Sequence, residues 1–420
     1  MKKMMFIAVL FSAIAPKVLS ISTGLFQLSV FRAIIIISPI ILVLITFIDN
    51  KNVKLSSINN RYSVHFMFIW MMYAIFTVAW VQDIGMWLRG VLFIVTGVTS
   101  IIMFQNTFRD KQDILSSFNL LGITTMLHNG IGWYEVVTGN YYFANPVYAA
   151  RYMRTQRPVS TFTNVNDFSL FMFFGIFILY ICYKNTRKSL MKVLYLIGII
   201  SSIIIIIIAS SRGAMIGLSV AFIWFTLNVV KKLKVQRLIT LFLLIIIILI
   251  ALLPLINNMG LDLIQIDELY INLAEEGGRI SLLKNGLYFL YRTLGFGVGA
   301  GNIEHWMLYE GIYPTGGLLN IHNWWAEILV GFGVIIFTMY IIFYIKLFNS
   351  MRRIYKMSNN EIDSSISLSI MCIMLGFIIA GISSSSNMDV EWLWVFWALA
   401  ITYQGINQSG LDTQRAKVKL

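Results

Sequence analysis

The sequence predicts an all-α fold, a polytopic transmembrane bundle of about twelve helices with one large extracytoplasmic loop. Two observations support this prediction. The 420 residues are 58% apolar and only 12% charged, whereas soluble domains are about 45–50% apolar and about 25% charged. Apolar runs of about 20 residues, the length that crosses a bilayer, recur along the whole chain. This composition excludes a soluble enzyme and a disordered protein.

The predicted spans are separated mostly by short polar segments, so residues 1–420 are expected to form a single integral membrane domain. The spans are residues 4–20, 26–48, 63–81, 84–104, 114–134, 161–183, 190–210, 213–230, 237–256, 323–345, 365–382 and 390–407. The segment 257–322 is too long for a simple connection, and such loops are usually functional or disordered. Helical spacing of its apolar residues over Gly278–Arg292 predicts a short amphipathic helix on the outer face.

Lysine and arginine in short loops set the orientation of a membrane protein. With the N-terminus inside, 22 of the 32 basic residues lie in or beside the cytoplasmic segments, and the C-terminus is inside too. The other ten lie on the outer side or within a span, where a positive charge is expensive and suggests function. They are Lys17, Arg32, Arg89, Arg151, Arg154, Arg157, Arg212, Arg279, Lys284 and Arg292.

Four polar segments lie at the outer membrane boundary by this count, and they can line one cavity. They are Arg157–Asp167, Ser210–Gly213, Gly277–Arg279 and His322–Glu327. The planar guanidinium of arginine presents several N–H donors whose arrangement matches the oxygens of a phosphate. Helix N-termini also favour anions. Histidine adds a proton acceptor near neutral pH. The predicted ligand is therefore a lipid phosphate or pyrophosphate.

The motifs in these segments follow a familiar order. R-P-x-S-T-F-x-N-x-N comes first, then S-S-R-G-A, G-R, L-G-F-G-V-G-A-G and finally H-N-W-W-A-E-I-L-V-G-F-G. Over about Arg157 to Val334 the chain resembles the O-antigen polymerase and O-antigen ligase superfamily. The resemblance implies a glycosyltransferase of the bacterial inner (cytoplasmic) membrane that works without a metal or other cofactor. Its donor would be a glycan on undecaprenyl pyrophosphate. The function expected first is that of an O-antigen or capsule-type polysaccharide polymerase, which joins such lipid-linked repeat units at the outer face of the membrane.

The resemblance also implies roles for individual residues. Arg212 and Arg279 would bind the pyrophosphate and stabilise its charge as it leaves, and His322 would act as the base on the acceptor hydroxyl or orient it. The residues expected to hold the substrate are Arg157, Asn166, Arg89, Asn323, Arg154 and Glu327. Other expected partners are membrane lipid, a chain-length regulator and a flippase, and no nucleic acid is expected.

Several polar residues compete with these assignments. His128 and His305 are the alternative histidines, and Arg32 and Arg151 are further candidate cations. Asp167, like Glu327, is expected to orient a neighbouring arginine rather than to catalyse. The run 295–301 has the glycine content of a dinucleotide loop without its spacing, so a tight turn with close backbone packing is expected.

Other functions remain open at this point. An O-antigen ligase would transfer the glycan to lipid A–core, and the motifs do not separate it from a polymerase. A lipid-linked oligosaccharide flippase would share the spans and the basic cavity, but charges near mid-depth would be expected of it. A peptidoglycan-type polymerase is a third alternative, which the outer-loop motifs resemble less.

Overall fold

A computed structural model of the chain describes residues 1–14, 18–24, 26–48, 61–143, 152–162, 164–229, 266–384 and 388–418. The predicted ninth span, 237–256, lies outside the described residues, as do Lys17 and Arg151.

The described residues are almost entirely helical. The helices are α1 Lys2–Ser12, α2 Val30–Ile48, α3 Arg61–Phe76, α4 Ile84–Thr107, α5 Lys111–Thr138, α6 Val165–Asn185, α7 Ser189–Ile208, α8 Arg212–Val229, α9 Ile266–Arg292, α10 Ile303–Tyr309, α11 Trp324–Met357, α12 Glu361–Ala380 and α13 Glu391–Val418. A one-turn 3₁₀ helix, Thr77–Ala79, follows α3. The two strands described, β1 Ser20–Ser22 and β2 Gln27–Ser29, pair antiparallel in a hairpin between α1 and α2.

Eight described helices are long and apolar enough to cross a membrane. They are Val30–Ile48, Tyr62–Ala79, Ile84–Thr107, Val165–Asn185, Ser189–Ile208, Arg212–Val229, Trp324–Met357 and Glu361–Ala380. The predicted spans 114–134 and 390–407 fall inside α5 and α13, which are long helices but are not among these eight. The chain is thus a helical membrane protein, and the total of twelve spans stays a prediction.

Two predicted boundaries differ from the structure. The first span was expected over 4–20, but α1 ends at Ser12 and Ser20 already belongs to strand β1 of the hairpin. The amphipathic helix expected over 278–292 is the last part of the longer helix α9. In this part Ile280, Leu283 and Leu287 are exposed, while Leu282 and Phe289 are buried, so both sides of the helix are apolar.

The segment 278–322 packs against one end of the bundle, which we call the loop end. The indole N–H of Trp80 donates to the carbonyl oxygen of Gly297 at 2.9 Å. The backbone N–H of Asp83 donates to Oδ1 of Asn302 at 2.8 Å, and Nδ2 of Asn302 donates back to the Asp83 carbonyl at 3.0 Å. These bonds fix the segment to the start of α4.

At the other end of the bundle, ion pairs join helix termini. Lys2 contacts Asp113 at 2.8 Å and Lys111 contacts Asp363 at 2.6 Å. The hydroxyl of Tyr403 donates to Oδ1 of Asp363 at 2.9 Å. Side-chain contacts therefore join chain segments at both ends of the bundle, and the candidate site lies at the loop end.

The glycine-rich run 295–301 forms the expected close backbone packing against α11. Two backbone hydrogen bonds of 2.9 Å run from Val298 to Val330 and from Gly299 to Gly331. At Gly333 the backbone of α11 leaves helical geometry, with φ 78°. A Cβ there would lie 2.3 Å from the carbonyl oxygen of Gly295, so only glycine fits this kink.

Candidate functional site

Two of the motif segments meet at the turn that follows α12. The backbone N–H of Trp324 donates to the carbonyl oxygen of Gly381 at 2.9 Å. Gly213 packs on the same turn, because a Cβ at Gly213 would lie 2.1 Å from Oγ of Ser383. Arg212 precedes Gly213 and His322 lies two residues before Trp324, so both residues lie close to the same short turn.

Asn166 joins this arrangement through Ser211. The buried hydroxyl of Ser211 donates to Oδ1 of Asn166 at 2.9 Å. Asn164 caps α6 by accepting from the backbone N–H groups of Asn166 and Asp167, both at 2.9 Å. Its amide in turn donates to the carboxylate of Asp167 at 2.8 Å. The start of α6 is thus held beside Arg212, the first residue of α8.

The structure gives Asn323 a local structural role. Its Oδ1 accepts from the backbone N–H groups of Trp325 at 3.1 Å and Ala326 at 3.3 Å, which caps α11. Asparagine is among the preferred residues at such a position because its oxygen satisfies N–H groups that lack a partner within the helix. This oxygen is engaged in the cap, while the predicted contact of Asn323 with substrate stays a prediction.

Four non-glycine residues in the predicted motifs adopt a left-handed backbone. They are Ser160 with φ 52°, Ser210 with φ 55°, Leu294 with φ 51° and His322 with φ 49°. Such a conformation costs on the order of 1–3 kcal/mol and clusters at functional sites. At His322 it is supported by a hydrogen bond of 2.8 Å from its own N–H to Oδ1 of Asn320.

A cavity of about 420 Å³ lies at the loop end. Of the residues predicted from the sequence, Arg89, Glu327 and the further candidate cation Arg32 line it. Sequence reasoning did not single out most of its other polar lining residues, which come from the hairpin, from the segment 301–321 and from the turn before α13. The polar lining consists of Ser22, Gln27, Arg32, Arg89, Glu304, Asn320, Glu327 and Asp389.

Arg32 lies at the wall of this cavity, where it is buried and forms an ion pair. Its Nε lies 3.0 Å from Oε1 of Glu391, and both side chains are buried. Its terminal nitrogens donate to the carbonyl oxygens of Gln27 at 2.7 Å and Asp389 at 2.9 Å. The guanidinium also stacks over the ring of Phe93 at 4.7 Å. Arg32 therefore holds together the hairpin, α4 and the start of α13.

The segment that carries Arg154 and Arg157 folds over the end of α5. The backbone N–H groups of Val159 and Ser160 both donate to Oε2 of Glu135 at 2.8 Å. Arg154 is exposed and Arg157 is half-buried. Their roles in holding substrate stay predictions.

The alternative histidines are placed elsewhere. His128 is fully buried, and its ring nitrogens lie 2.8 Å from Oγ of Ser160 and 2.9 Å from the carbonyl oxygen of Ala13. The Nδ1 of His305 lies 3.7 Å from Oδ2 of Asp83. The contacts of His128 are those of a buried residue that joins chain segments.

Arg279 lies half-buried on α9, which packs against the start of α11. At Gly286 a Cβ would lie 2.9 Å from both Ile321 and Val330, so the two helices approach closely. At Gly278 a Cβ would lie 3.1 Å from the carbonyl oxygen of Thr315. The structure thus places α9 beside the segment that leads into His322, and the phosphate-binding role of Arg279 stays a prediction.

Two comparisons with known proteins show what this chain is similar to. Residues 197–341 match the family model described as O-antigen ligase, a range that includes Arg212, Arg279, His322 and Glu327. The teichuronic acid biosynthesis protein TuaE of Bacillus subtilis (strain 168) is 23% identical over 411 residues, which are 95% of this chain and 84% of that protein. Together with the apolar helices, these matches support the resemblance of the chain to the O-antigen ligase and polymerase superfamily.

Proposed function

We propose that the chain is a glycosyltransferase that polymerises polysaccharide at the outer face of the bacterial cytoplasmic membrane, with both termini in the cytoplasm. It joins repeat units carried on undecaprenyl pyrophosphate and needs no metal. The superfamily and the relative in teichuronic acid biosynthesis support a role in making polysaccharide within a membrane. The observation that carries the assignment of the site is the meeting of the Arg212 and His322 segments at the turn after α12.

The reaction forms one glycosidic bond and breaks another. The acceptor hydroxyl oxygen attacks the anomeric carbon of the donor sugar, and the bond from that carbon to the pyrophosphate oxygen breaks. The hydroxyl proton passes to His322, and undecaprenyl pyrophosphate leaves with the electron pair. A positioned base typically contributes about 10²- to 10⁴-fold to such a step.

The cationic groups act on the leaving group. Arg212 and Arg279 neutralise the negative charge that grows on the pyrophosphate, which lowers the barrier most when the donors are already in place. Arg212 is the first residue of α8, where the helix N-terminus adds a partial positive charge. Arg154, Arg157 and Asn166 hold the donor.

Transfer by purified protein from lipid-linked repeat units tests this function. Ladders of product are expected, whereas transfer to lipid A–core would identify a ligase instead. Neither product, together with movement of the lipid-linked unit across a vesicle membrane, would identify a flippase and overturn the proposal.

Single variants test the residues. His322→Ala, Arg279→Ala and Arg212→Ala are each expected to abolish transfer while the protein still inserts and folds. His305→Ala is the matched control, because His305 is also at the loop end but contacts Asp83, and it should keep transfer. Full activity in any of the three variants would remove that residue from the mechanism.

A further inference from the structure

The glycine-rich run 295–301 contacts two helices inside their apolar stretches. The backbone N–H of Val334 on α11 donates to the carbonyl oxygen of Gly295 at 2.9 Å. The hydroxyl of Tyr73 on α3 donates to the carbonyl oxygen of Phe296 at 2.6 Å. Neither of the stretches that contain these residues, 62–82 and 328–345, has an Asp, Glu, Lys or Arg. The run therefore lies beside chain that is suited to the hydrocarbon core of a membrane.

Both contacts lie at a similar distance from the loop end. Val334 is six residues after Ile328, where the charge-free stretch of α11 begins, and Tyr73 is six residues before Ala79, where the apolar helix 62–79 ends. A helix rises about 1.5 Å per residue, so six residues span about 9 Å. The hydrocarbon core is about 30 Å thick, so two separate helices place the run about a third of the way into it.

The backbone of the run is satisfied as membrane depth requires. Every backbone N–H from residue 293 to residue 300 donates a hydrogen bond within the protein. These donors include Leu294 and Phe296, whose side chains are exposed. In water, solvent could accept from such groups, whereas in hydrocarbon non-helical backbone is tolerated only where protein or a water-filled cavity satisfies it.

The side chains of the run continue the apolar surface of α11. Residues 294–301 carry no polar side chain, although turns in water are rich in polar residues. Leu294 is 85% exposed and Phe296 is 53% exposed. On the adjoining part of α11, Val334 and Ile335 are also exposed. The run and this membrane-crossing helix thus present one continuous apolar surface.

Polar and aromatic groups mark where the chain reaches this surface. The guanidinium of Arg292 lies 3.6 Å from the carboxylate of Glu310 and donates to the hydroxyl of Tyr288 at 2.9 Å. Tyr291 beside it is exposed. Tyrosine is enriched at the boundary between membrane and water, and arginine near a helix end reaches the same boundary. The change from these residues to Leu294 takes two positions of the chain.

We propose that residues 293–300 form a re-entrant segment, and that Leu294 and Phe296 contact acyl chains of membrane lipid. The predicted loop 257–322 then enters the leaflet at the loop end, turns beside α11 and leaves on the same side. Continuity with the exposed surface of α11 identifies lipid as the partner. The proposal concerns the depth of this segment and does not depend on the proposed reaction.

Nitroxide labels on single cysteines measure this depth. The variants Leu294→Cys and Phe296→Cys are labelled in the full chain and placed in nanodiscs of phosphatidylcholine and phosphatidylglycerol. Power saturation compares collisions with oxygen, which concentrates in hydrocarbon, and with a nickel chelate, which stays in water. Ile335→Cys is the lipid control and Arg187→Cys, in the exposed turn before α7, is the water control. Cys182 and Cys372 are buried, so the unmutated chain measures the background.

The ratio of oxygen to nickel collisions at Leu294 and Phe296 should match that at Ile335 and exceed that at Arg187 by about tenfold, because hydrocarbon excludes the charged chelate's medium, water. A ratio close to that at Arg187 would place the run in water and overturn the proposal. Few collisions with either reagent would show that a protein surface covers Leu294, which would overturn it equally.

A label-free variant serves in case the labelled chains fail to fold. In water, Leu294→Asp at so exposed a position should leave stability almost unchanged, whereas a carboxylate in hydrocarbon is costly. The melting temperature in nanodiscs should therefore fall, as for Ile335→Asp, while Arg187→Asp should keep it. Aspartate tolerates the left-handed φ of 51° better than leucine does, so the backbone would not explain a fall. An unchanged melting temperature of Leu294→Asp would contradict the proposal.

Discussion

The backbone N–H of Trp324 lies 2.9 Å from the carbonyl oxygen of Gly381 and donates a hydrogen bond to it. This bond joins the start of α11 to the turn after α12. Because Gly213 packs on the same turn, the relative positions of Arg212 and His322 depend on a few backbone contacts. Changes at this turn should therefore affect transfer more than they affect insertion into the membrane.

Gly213→Ala should show this dependence. The new Cβ would lie 2.1 Å from Oγ and 2.8 Å from Cβ of Ser383, so the start of α8 must move away. Overpacking of this kind costs about 1–3 kcal/mol. Transfer is expected to fall at least about tenfold, as measured on purified protein. Gly130→Ala is the control, since nothing lies within 4 Å of its Cβ, and equal activity of the two variants would contradict the prediction.

His322→Gly separates the chemistry of the imidazole from the strain of its backbone. Glycine adopts the left-handed φ of 49° without strain, which offsets part of the stability lost with the contacts of His322, so the melting temperature in detergent should stay close to that of the wild type. Transfer should nevertheless fall by about 10²- to 10⁴-fold, the usual contribution of a positioned base. A variant that keeps full transfer would exclude His322 as the base.

Glu391→Gln should destabilise the protein by leaving the guanidinium of Arg32 without its counter-charge. Removal of one partner of a buried ion pair costs about 3–5 kcal/mol, whereas replacement of both by apolar residues is often neutral. The double variant Arg32→Met and Glu391→Leu should therefore regain most of the lost stability. Thermal unfolding of the single variants Arg32→Met and Glu391→Leu and of the double variant in detergent measures this coupling. A double variant no more stable than the weaker single variant would refute it.

Gly333→Ala should lower the melting temperature far more than Gly331→Ala, two residues earlier in α11. At Gly333 the φ is 78° and a Cβ would lie 2.3 Å from the carbonyl oxygen of Gly295. At Gly331 a Cβ has an ordinary contact of 3.6 Å. Comparable melting curves for the two variants would show that the kink is not required for packing of the glycine-rich run 295–301.

Most of the helices could be predicted from the sequence, because a span of apolar residues leaves a clear signal in hydropathy. The hairpin of β1 and β2 gives no such signal in hydropathy, since its strands have only three residues each. The short helix α10 and the kink at Gly333 were also missed, because both depend on packing against other segments. Local spacing carries no information about such contacts.

The candidate site was predictable in part for the same reason. The motifs identified Arg212, His322 and Asn166 as neighbours at one end of the bundle, which the contacts through Ser211 and Gly381 support. The cavity was missed, because Arg32 and its acceptor Asp389 are 357 residues apart in the chain. Pairs so distant are brought together only by the assembled bundle.

The ion pair between Arg32 and Glu391 has a consequence for biogenesis. Arg32 leaves the ribosome long before Glu391 is synthesised, so its guanidinium lacks this counter-charge until α13 has formed. Premature termination anywhere upstream of Glu391 would leave the pocket open on one side. The wall of the cavity that Arg32 forms can thus be completed only after Glu391 has been translated and α13 has formed.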